Sequence, residues 1–243
     1  MKICSAHQPA FLPWLGLLHK VAQSDFFIVM DIAKFRKRSF MHRNTIEING
    51  EPHYVGLALN KESDFLTCDK IHLSPNSKDS LLMIANKIEH TYKKSPYKKD
   101  LDEFVNENLL KINGKVSNLL DIYLLQLRYL CKKFNIKTQI VMESSFLSKD
   151  KIEKLGASKR LLAHAIHLKA NLYITGINSK NYLDEEIFSE NNIIHRVQNF
   201  NYSSFLKFQN CTSPLSIVHQ IAFMGFENIK IFFNKVIEDK TKI

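Results

Sequence analysis

The N-terminal segment alternates between apolar runs and an amphipathic stretch, which limits the folds the chain can adopt. Apolar runs cover residues 2–6 and 26–30, and residues 14–23 between them carry apolar side chains at helical spacing. Pro9 and Pro13 keep the residues before them out of helical geometry, so the helix should begin just after the second proline. A strand, a helix and a strand joined by such short links predict a βαβ unit with two parallel neighbouring strands.

The rest of the chain continues this alternation around a helical middle. The dipeptide Asn49-Gly50 lies between two apolar runs and predicts a tight hairpin turn. Apolar periodicity, broken at Ser95-Pro96, predicts two or three helices between residues 77 and 134. The other predicted elements are strands at 45–48, 53–59, 69–73, 137–142, 171–176 and 193–198, a helix at 151–170, and an interrupted helix from Ser213-Pro214 to about Val236.

These elements predict the fold class. Strands and helices that alternate at both ends of the chain favour a three-layer α/β fold with a mostly parallel, Rossmann-like sheet. The helices of residues 77–134 would be an insertion, and we expect residues 1–243 to form a single domain. His7 and Gln8 would then follow a parallel strand at its carboxyl end, where open α/β sheets bind ligands.

Composition is that of an ordinary globular protein, with 45% hydrophobic and 24% charged residues. No apolar run reaches the ~18 residues of a membrane helix, and the N-terminus lacks the apolar region of a signal peptide. We therefore expect a cytoplasmic protein without a membrane span. The net charge of +10 raises the question of nucleic acid, but the lysines are scattered and lack interleaved aromatic residues, so no nucleic-acid partner is predicted.

Cysteine and histidine spacings predict no metal site. The chain has four cysteines, which lie far apart without a CxxC pair: Cys4, Cys68, Cys131 and Cys211. We expect them to be reduced and mostly buried. Cys4 and His7 should point to opposite faces of one strand, which disfavours a cysteine–histidine nucleophile. His164 and His167 share a helix face, but no third ligand is near in sequence, so we interpret them as a solvated or half-buried face.

A series of motifs in the first 44 residues resembles the N-terminal signature of the WbqC-like family. In order, they are His7-Gln8-Pro9, Pro13-Trp14-x-Gly16, Lys20, Asp25, Asp31, Lys37 and Arg43-Asn44. Weaker matches continue at Tyr92, Tyr97, Ser144-Ser145, Thr175-Gly176, Asn181-Tyr182-Leu183-Asp184 and Pro214-Leu215-Ser216-Ile217. Two positions depart from the family pattern. Met41-His42 replaces an aromatic residue, and His219 stands where the family usually has an aspartate, which argues against an acid–base role at that position.

The resemblance implies a transferase in the biosynthesis of O-antigen or another surface polysaccharide. It would move an activated glycyl or other aminoacyl group to the amino sugar of a small-molecule sugar nucleotide. The acyl group must arrive activated, so the donor would be an acyl or aminoacyl thioester, with an acyl carrier protein as partner, or an adenylate formed from ATP with Mg²⁺. No cofactor follows from the residues themselves.

Two alternatives stay open. A turn histidine before a helix N-terminus is also similar to the start of nucleotidyltransferase-like domains, where the histidine stabilises phosphate charge. The His-x-Gly-His form of those domains is missing here, so this likeness is one of topology. Under this alternative, the protein would be an enzyme that uses a nucleoside triphosphate. The other alternative is a non-catalytic module that binds a sugar nucleotide or a partner.

Three residues are predicted to be catalytic. His7, with an ordinary pKa near 6.5, would be the base for an amine or hydroxyl, unless its ring merely bonds a backbone carbonyl. Asp31 ends the second strand and would orient His7 or bind a sugar hydroxyl, unless it caps a turn. Lys37, in a basic loop, would hold phosphate or carboxylate together with Arg43.

The other candidates are predicted to bind substrate. Trp14 would stack on a sugar or base, Gly16 would admit a phosphate, and Lys20 is included because of the family resemblance, although it could extend to solvent instead. Several of the others lie at the ends of predicted elements, where loops carry binding groups. The full set is Gln8, Trp14, Gly16, Lys20, Arg43, Asn44, Ser145, Gly176, Tyr182 and Ser216.

Overall fold

A five-stranded sheet forms the centre of the computed structural model, which describes residues 1–61, 63, 66–75, 79–201 and 215–240. The strands of the described residues are Ile3–His7 (β1), Phe26–Val29 (β2), Arg43–Ile48 (β3), Glu51–Gly56 (β4), Gln139–Met142 (β5), Leu172–Thr175 (β6) and Ile194–Val197 (β7). The central sheet has the order β5-β2-β1-β6-β7, and each of its pairs is parallel. β3 and β4 form a separate antiparallel hairpin.

Helices cover both faces of this sheet. The described α-helices are Leu15–Ala22 (α1), Ser80–Thr91 (α2), Lys98–Val105 (α3), Leu119–Lys133 (α4), Lys149–Lys154 (α5), Ala157–Leu168 (α6), Glu186–Glu190 (α7) and Ile217–Lys240 (α8). α1 packs against α8 on one face, and α6 packs against α7 and β1 on the other. Together with the parallel sheet, this arrangement confirms the prediction of a three-layer Rossmann-like α/β fold.

The side chains of β2 show why both faces must be covered. Phe27 and Val29 belong to the apolar cluster of α1 and α8, whereas Ile28 packs with Ala165 and Phe188 on the other face. Because side chains alternate along a strand, a strand covered on both faces is apolar at every position. The apolar run in the sequence is explained by this double burial.

The predicted βαβ unit and the helical middle of the chain are also present. β1, α1 and β2 follow one another, and β1 and β2 are parallel neighbours. α2, α3 and α4 lie between β4 and β5, and a π-helical segment, Asn106–Leu110, follows α3 directly. Their buried residues join the same cluster as α1 and α8. The assignment of residues 1–243 to one domain stays a prediction.

The hairpin turn is placed as the sequence predicts. Asn49 and Gly50 connect β3 and β4, and both have positive φ angles, 54° and 83°. Positive φ at both central residues is typical of the type I′ turn that joins twisted strands. The second strand ends at Gly56, three residues before the predicted end at residue 59.

The predicted strand at residues 69–73 is wrong. Residues Cys68–Lys70 form a 3₁₀ turn, in which the backbone N–H of Lys70 donates to the carbonyl of Thr67. The Thr67 hydroxyl donates to Asp69 within the same turn. This local side-chain bonding competes with an extended ladder. His72 and Leu73 make isolated bridges outside any named strand.

Two helix predictions also need correction. The helix predicted at 151–170 is divided into α5 and α6, because the backbone of Leu155 and Gly156 is extended. The Ser148 side chain caps α5, which therefore begins before residue 151. The last helix is described from Ile217 onward and extends to Lys240, and its predicted start at Ser213-Pro214 lies outside the described residues. It is broken at Gly225, where φ is 71° and ψ is 168°. No helix in the described part of the chain is long and apolar enough to cross a membrane.

Candidate functional site

A cavity of 1090 Å³ lies at the carboxyl ends of β1 and β6. His7 and Gln8 line it at the end of β1, and Thr175 and Gly176 line it at the end of β6. From β1 the chain goes to β2 and β5 on one side, and then crosses to β6 and β7 on the other. The strand order therefore reverses between β1 and β6, which is where open α/β sheets bind their ligands.

Lys20 brings a positive charge into the wall of this cavity. Every residue of α1 is buried, and Lys20 is only 4% exposed. Its ammonium Nζ donates a hydrogen bond to the carbonyl of Ala6, at 2.9 Å. Burial lowers the pKa of Lys20 to about 8. No acidic side chain among the described residues forms an ion pair with this ammonium.

His7 is a neutral imidazole with a fixed tautomer. Its Nδ1 lies 2.7 Å from the carbonyl oxygen of Gln8, and because that oxygen accepts only, Nδ1 carries the proton. Nε2 therefore offers a lone pair. Burial and, secondly, the charge of Lys20 lower the pKa of His7 to about 3, although the bond to Gln8 opposes the shift. The indole of Trp14 packs edge-on against the ring, with 5.3 Å between centroids.

The charges that line the cavity have one sign. Its basic residues are Lys20, Arg36 and Arg160. No aspartate or glutamate is among the described residues of its lining. Phosphate and carboxylate groups are the ligands that such a surface attracts.

A buried polar network lies behind the part of the wall formed by α6. The carboxylate of Glu143, fully buried, accepts bonds from Nε and Nη2 of Arg160 at 2.6 and 2.5 Å. It also accepts from Nε2 of His164 at 2.7 Å, and the Tyr173 hydroxyl then donates to His164 Nδ1 at 3.0 Å. Burial alone would raise the pKa of Glu143, but the bonds from His164 and Arg160 outweigh it and lower that pKa.

The model of the WbqC-like protein family matches residues 8–231, which is nearly the whole chain. The chain belongs to the WbqC-like family. This WbqC-like protein is also similar to the uncharacterized protein Rv1507c of Mycobacterium tuberculosis, with 22% identity over 205 residues, or 84% of either chain. No solved structure matches it.

Most of the predicted site residues of this WbqC-like protein line the cavity. They come from the turn after β1, from α1, from the start of β3 and from the segment after β6. These residues are His7, Gln8, Trp14, Gly16, Lys20, Asn44, Gly176 and Tyr182. The amide of Asn44 is already used, since it donates to the carbonyls of Phe11 and Leu12 and accepts from Thr45 N–H.

Asp31 lies outside the cavity lining and has a different partner from the one expected. Its carboxylate accepts a hydrogen bond from the backbone N–H of Ser144 at 3.0 Å. The ring of His7 is held by the carbonyl of Gln8 instead. Asp31 thus caps the turn after β5, which is the alternative that the sequence left open.

The other four predicted residues are also outside the lining. Lys37 is exposed, and the Ser145 hydroxyl donates to the Met142 carbonyl. Arg43 donates to the carbonyl of Arg38 and stacks on a tyrosine ring, 4.1 Å from its centroid. Ser216 is buried, and its backbone N–H donates to Thr45.

Two further histidine predictions are changed by the structure. His164 is fully buried and bonded within the polar network, so the expectation of a solvated or half-buried face is wrong for it. His167 is exposed and stacks on Phe146 at 4.2 Å. His219, at the position where the family has an aspartate, is buried beside the Tyr92 hydroxyl, and burial lowers its pKa to about 4.

Three of the cysteines are free and buried, as predicted, namely Cys4, Cys68 and Cys131. Cys211 lies outside the described residues. Burial raises the pKa of Cys4 to about 12, so its thiol is not a thiolate at neutral pH.

Sequence reasoning missed several residues of the cavity, above all Arg160, Tyr173 and Gln198. Arg160 and Tyr173 lie on elements whose local patterns predict only a helix and a buried strand. Gln198 directly follows β7, and its amide Nε2 donates to the Gly16 carbonyl and to His19 Nδ1. A rule that inspects every polar residue at a strand end would have found it.

Proposed function

We propose that this WbqC-like protein is a cytoplasmic transferase that binds a sugar nucleotide in the cavity and moves an activated glycyl or other aminoacyl group onto its amino sugar. The buried ammonium of Lys20 carries this proposal. A buried charge without a counter-ion costs free energy, and among the described residues only the Ala6 carbonyl accepts a hydrogen bond from this ammonium. The diphosphate of a sugar nucleotide would supply the missing negative charge.

The shape of the cavity supports a large ligand. Its volume of 1090 Å³ lies just above the roughly 300–1,000 Å³ of ordinary ligand pockets, so a ligand of two joined parts has room. Arg36, exposed at its wall, adds a second positive charge for the diphosphate. Trp14, half-buried and packed between His7 and Phe40, offers an aromatic surface for a sugar or base.

His7 is placed to handle the proton of the attacking amine. With Nδ1 bonded to Gln8, its free Nε2 lone pair would accept a hydrogen bond from the amino group of the sugar. A pKa of about 3 is too low for an efficient base at neutral pH. A diphosphate bound at Lys20 would offset the lysine charge that depresses this pKa, and so raise it. Burial is the larger cause of the low pKa, so the bound diphosphate would remove only the smaller part of the shift.

The chemical step then balances with the residues present. The neutral amine attacks the acyl carbon, the new C–N bond forms, and the proton of the amine goes to His7 Nε2. The C–S bond of a thioester, or the C–O bond of an adenylate, breaks and releases the donor. The glycyl group, the surface-polysaccharide role and an acyl carrier protein as donor rest on the family resemblance.

Calorimetric titration with a UDP-linked amino sugar tests the binding part. Lys20→Met should weaken binding at least tenfold, because it removes the charge that faces the diphosphate. Lys87→Met is the matched control, since Lys87 is an exposed lysine on α2 away from the cavity lining. Equal affinity in the wild type and Lys20→Met would contradict the proposal.

A mass-spectrometric assay tests the reaction. The protein is incubated with the sugar nucleotide and either glycyl thioester or glycine with ATP and Mg²⁺, and the gain of one glycyl residue is sought. His7→Ala should abolish the product while the affinity for sugar nucleotide persists. If the wild type instead exchanges pyrophosphate into a nucleoside triphosphate, nucleotidyl transfer replaces this proposal. If the wild type binds but makes neither product, the non-catalytic alternative holds.

A further inference from the structure

The cavity continues onto the second face of the sheet. Successive residues of a strand point to opposite faces, so His7 and Ala6 line the cavity on different sides of β1. The side of Ala6 is bounded by Arg160 and Leu161 of α6 and by Tyr173 of β6. Lys20 belongs to α1, on the other side. The two positively charged parts of the wall are thus separated by the edge of the sheet.

The guanidinium of Arg160 has donors left for a ligand. An arginine side chain has five N–H bonds. Two of the nitrogens, Nε and Nη2, each donate one hydrogen bond to Glu143. No other described residue accepts a hydrogen bond from this guanidinium, although its side chain is only 16% exposed. The remaining donors belong to a residue of the cavity wall, where a phosphate or carboxylate group would accept hydrogen bonds from them.

The network behind Arg160 holds the guanidinium in one orientation. Two parallel bonds to a fully buried carboxylate fix the plane of the guanidinium. That carboxylate is itself held by His164, which is held by Tyr173. Because the carboxylate is buried and the arginine lines the cavity, the ion pair presents its positive end to the ligand. Such pre-organisation lowers the entropy cost of binding.

We propose that Arg160 forms a second oxyanion subsite, which binds a phosphate or carboxylate group of a second substrate. Glu143, His164 and Tyr173 are its positioning residues. The subsite itself stands on this geometry. The identification of its ligand with the acyl donor rests on the proposed function, since a transfer reaction needs donor and acceptor together in one cavity.

Titration of the full chain with inorganic phosphate tests the subsite. The wild type should bind two phosphates, one at Lys20 and one at Arg160. Arg160→Gln should weaken the phosphate at Arg160 at least tenfold and leave the affinity of the one at Lys20 unchanged. Lys20→Met should weaken the phosphate at Lys20 and leave the one at Arg160 unchanged. If Arg160→Gln still bound two phosphates with unaltered affinity, the subsite would be overturned. It would also be overturned if the wild type bound only one phosphate and Lys20→Met abolished that binding.

These variants separate the two proposals. If Lys20→Met leaves phosphate binding unchanged while Arg160→Gln removes one site, the subsite stands and the proposed diphosphate site fails. If Arg160→Gln does not fold because Glu143 is left unpaired, the double variant Glu143→Gln/Arg160→Gln, which removes both charges, is titrated in its place. Circular dichroism checks the fold of each variant, and the double variant must also lose one phosphate.

A second titration distinguishes the sources of the oxyanion. Glycine presents a carboxylate, whereas inorganic phosphate represents the phosphate of a carrier arm or an adenylate. Each is titrated in the Lys20→Met variant, which isolates the Arg160 subsite. Tighter phosphate binding assigns the subsite to a phosphate-bearing donor, and tighter glycine binding assigns it to a free amino acid. Binding of neither, in a folded variant, overturns the subsite.

Discussion

The ammonium nitrogen of Lys20 lies 2.9 Å from the carbonyl oxygen of Ala6, at the end of the central strand. This relationship places a buried cation at the point where the strand order reverses. A backbone carbonyl offers only a partial negative charge, so the lysine is held in position without being neutralised. The protein therefore carries a site that is less stable empty than occupied.

The unfolding free energy should show this cost. The pKa of Lys20 falls from 10.5 to about 8 on folding, so between these values the unfolded chain binds more protons and stability rises with pH. Below pH 8 Lys20 is protonated in both states, so the full free-energy cost of burying its charge applies. Lys20→Met should therefore be more stable than the wild type by about 3 kcal/mol at pH 7, and the difference should vanish near pH 10.5. Urea denaturation at both values measures it, and a difference that stays constant with pH would refute it.

Acid should destabilise the protein well above the titration range of its carboxylates. Burial lowers the pKa of His7 to about 3 and those of His19 and His219 to about 4. The unfolded histidines bind protons near pH 6.5, so stability is lost as the pH falls from 6.5 toward 4. These three groups alone give a slope of about 4 kcal/mol per pH unit, and burial also lowers the pKa of His164 and of His195, which makes the slope steeper. His219→Asn should reduce this slope by up to about 1.4 kcal/mol per pH unit, the contribution of one group, in denaturation measured from pH 7 to pH 5.

Removal of the buried carboxylate should destabilise the fold. Glu143→Gln keeps the shape but leaves Arg160 without its counter-charge, and we expect a loss of about 3 kcal/mol. Glu153→Gln is the matched control, because Glu153 pairs with Lys34 on the surface at 3.3 Å and should change stability by less than about 1 kcal/mol. Chemical denaturation compares the two. Equal effects would show that burial of Glu143 has no energetic consequence.

Gly225 should be intolerant of any side chain. Its φ of 71° is unfavourable for L-residues, and an added Cβ would lie 2.3 Å from the ring of Tyr97. Gly225→Ala should therefore cost about 3 kcal/mol, from backbone strain and overpacking together. Gly114→Ala has a similar φ of 70° with open space around it, and should cost about 1 kcal/mol. Thermal unfolding of both variants separates strain from steric clash, and similar losses would exclude the clash.

The sequence predicts most of the fold because the βαβ pattern is local and strong. Two apolar runs around an amphipathic helix leave few arrangements, and the Asn49-Gly50 turn is equally specific. The predicted strand at 69–73 fails for a different reason. The Thr67 hydroxyl donates a hydrogen bond to the Asp69 carboxylate within a turn. The apolar content of the segment does not reveal such a bond.

The candidate site is predictable mainly in the half that lies in the opening segment, and Gly176 and Tyr182, at the ends of predicted elements, are the two later predicted residues that also line the cavity. His7, Trp14 and Lys20 are close in sequence and belong to one series of motifs, so the sequence predicts them together. Arg160 and Tyr173 reach the cavity through a crossover from β5 to β6, and no local pattern indicates which residues of a helix meet a distant strand. The hydrogen-bond partner of Asp31 depends on the same long-range arrangement.

The pairing of β1 with β6 joins segments that are far apart in sequence. Beside this pairing, the backbone N–H of Lys2 donates a hydrogen bond to the side chain of Asn171, 169 residues away. A chain emerging from the ribosome at about 5–20 residues per second makes its N-terminal signature long before the strand that completes the cavity. During that interval one edge of β1 is an unpaired template for other strands. The order of synthesis therefore leaves this edge of β1 without its partner strand until β6 has been made.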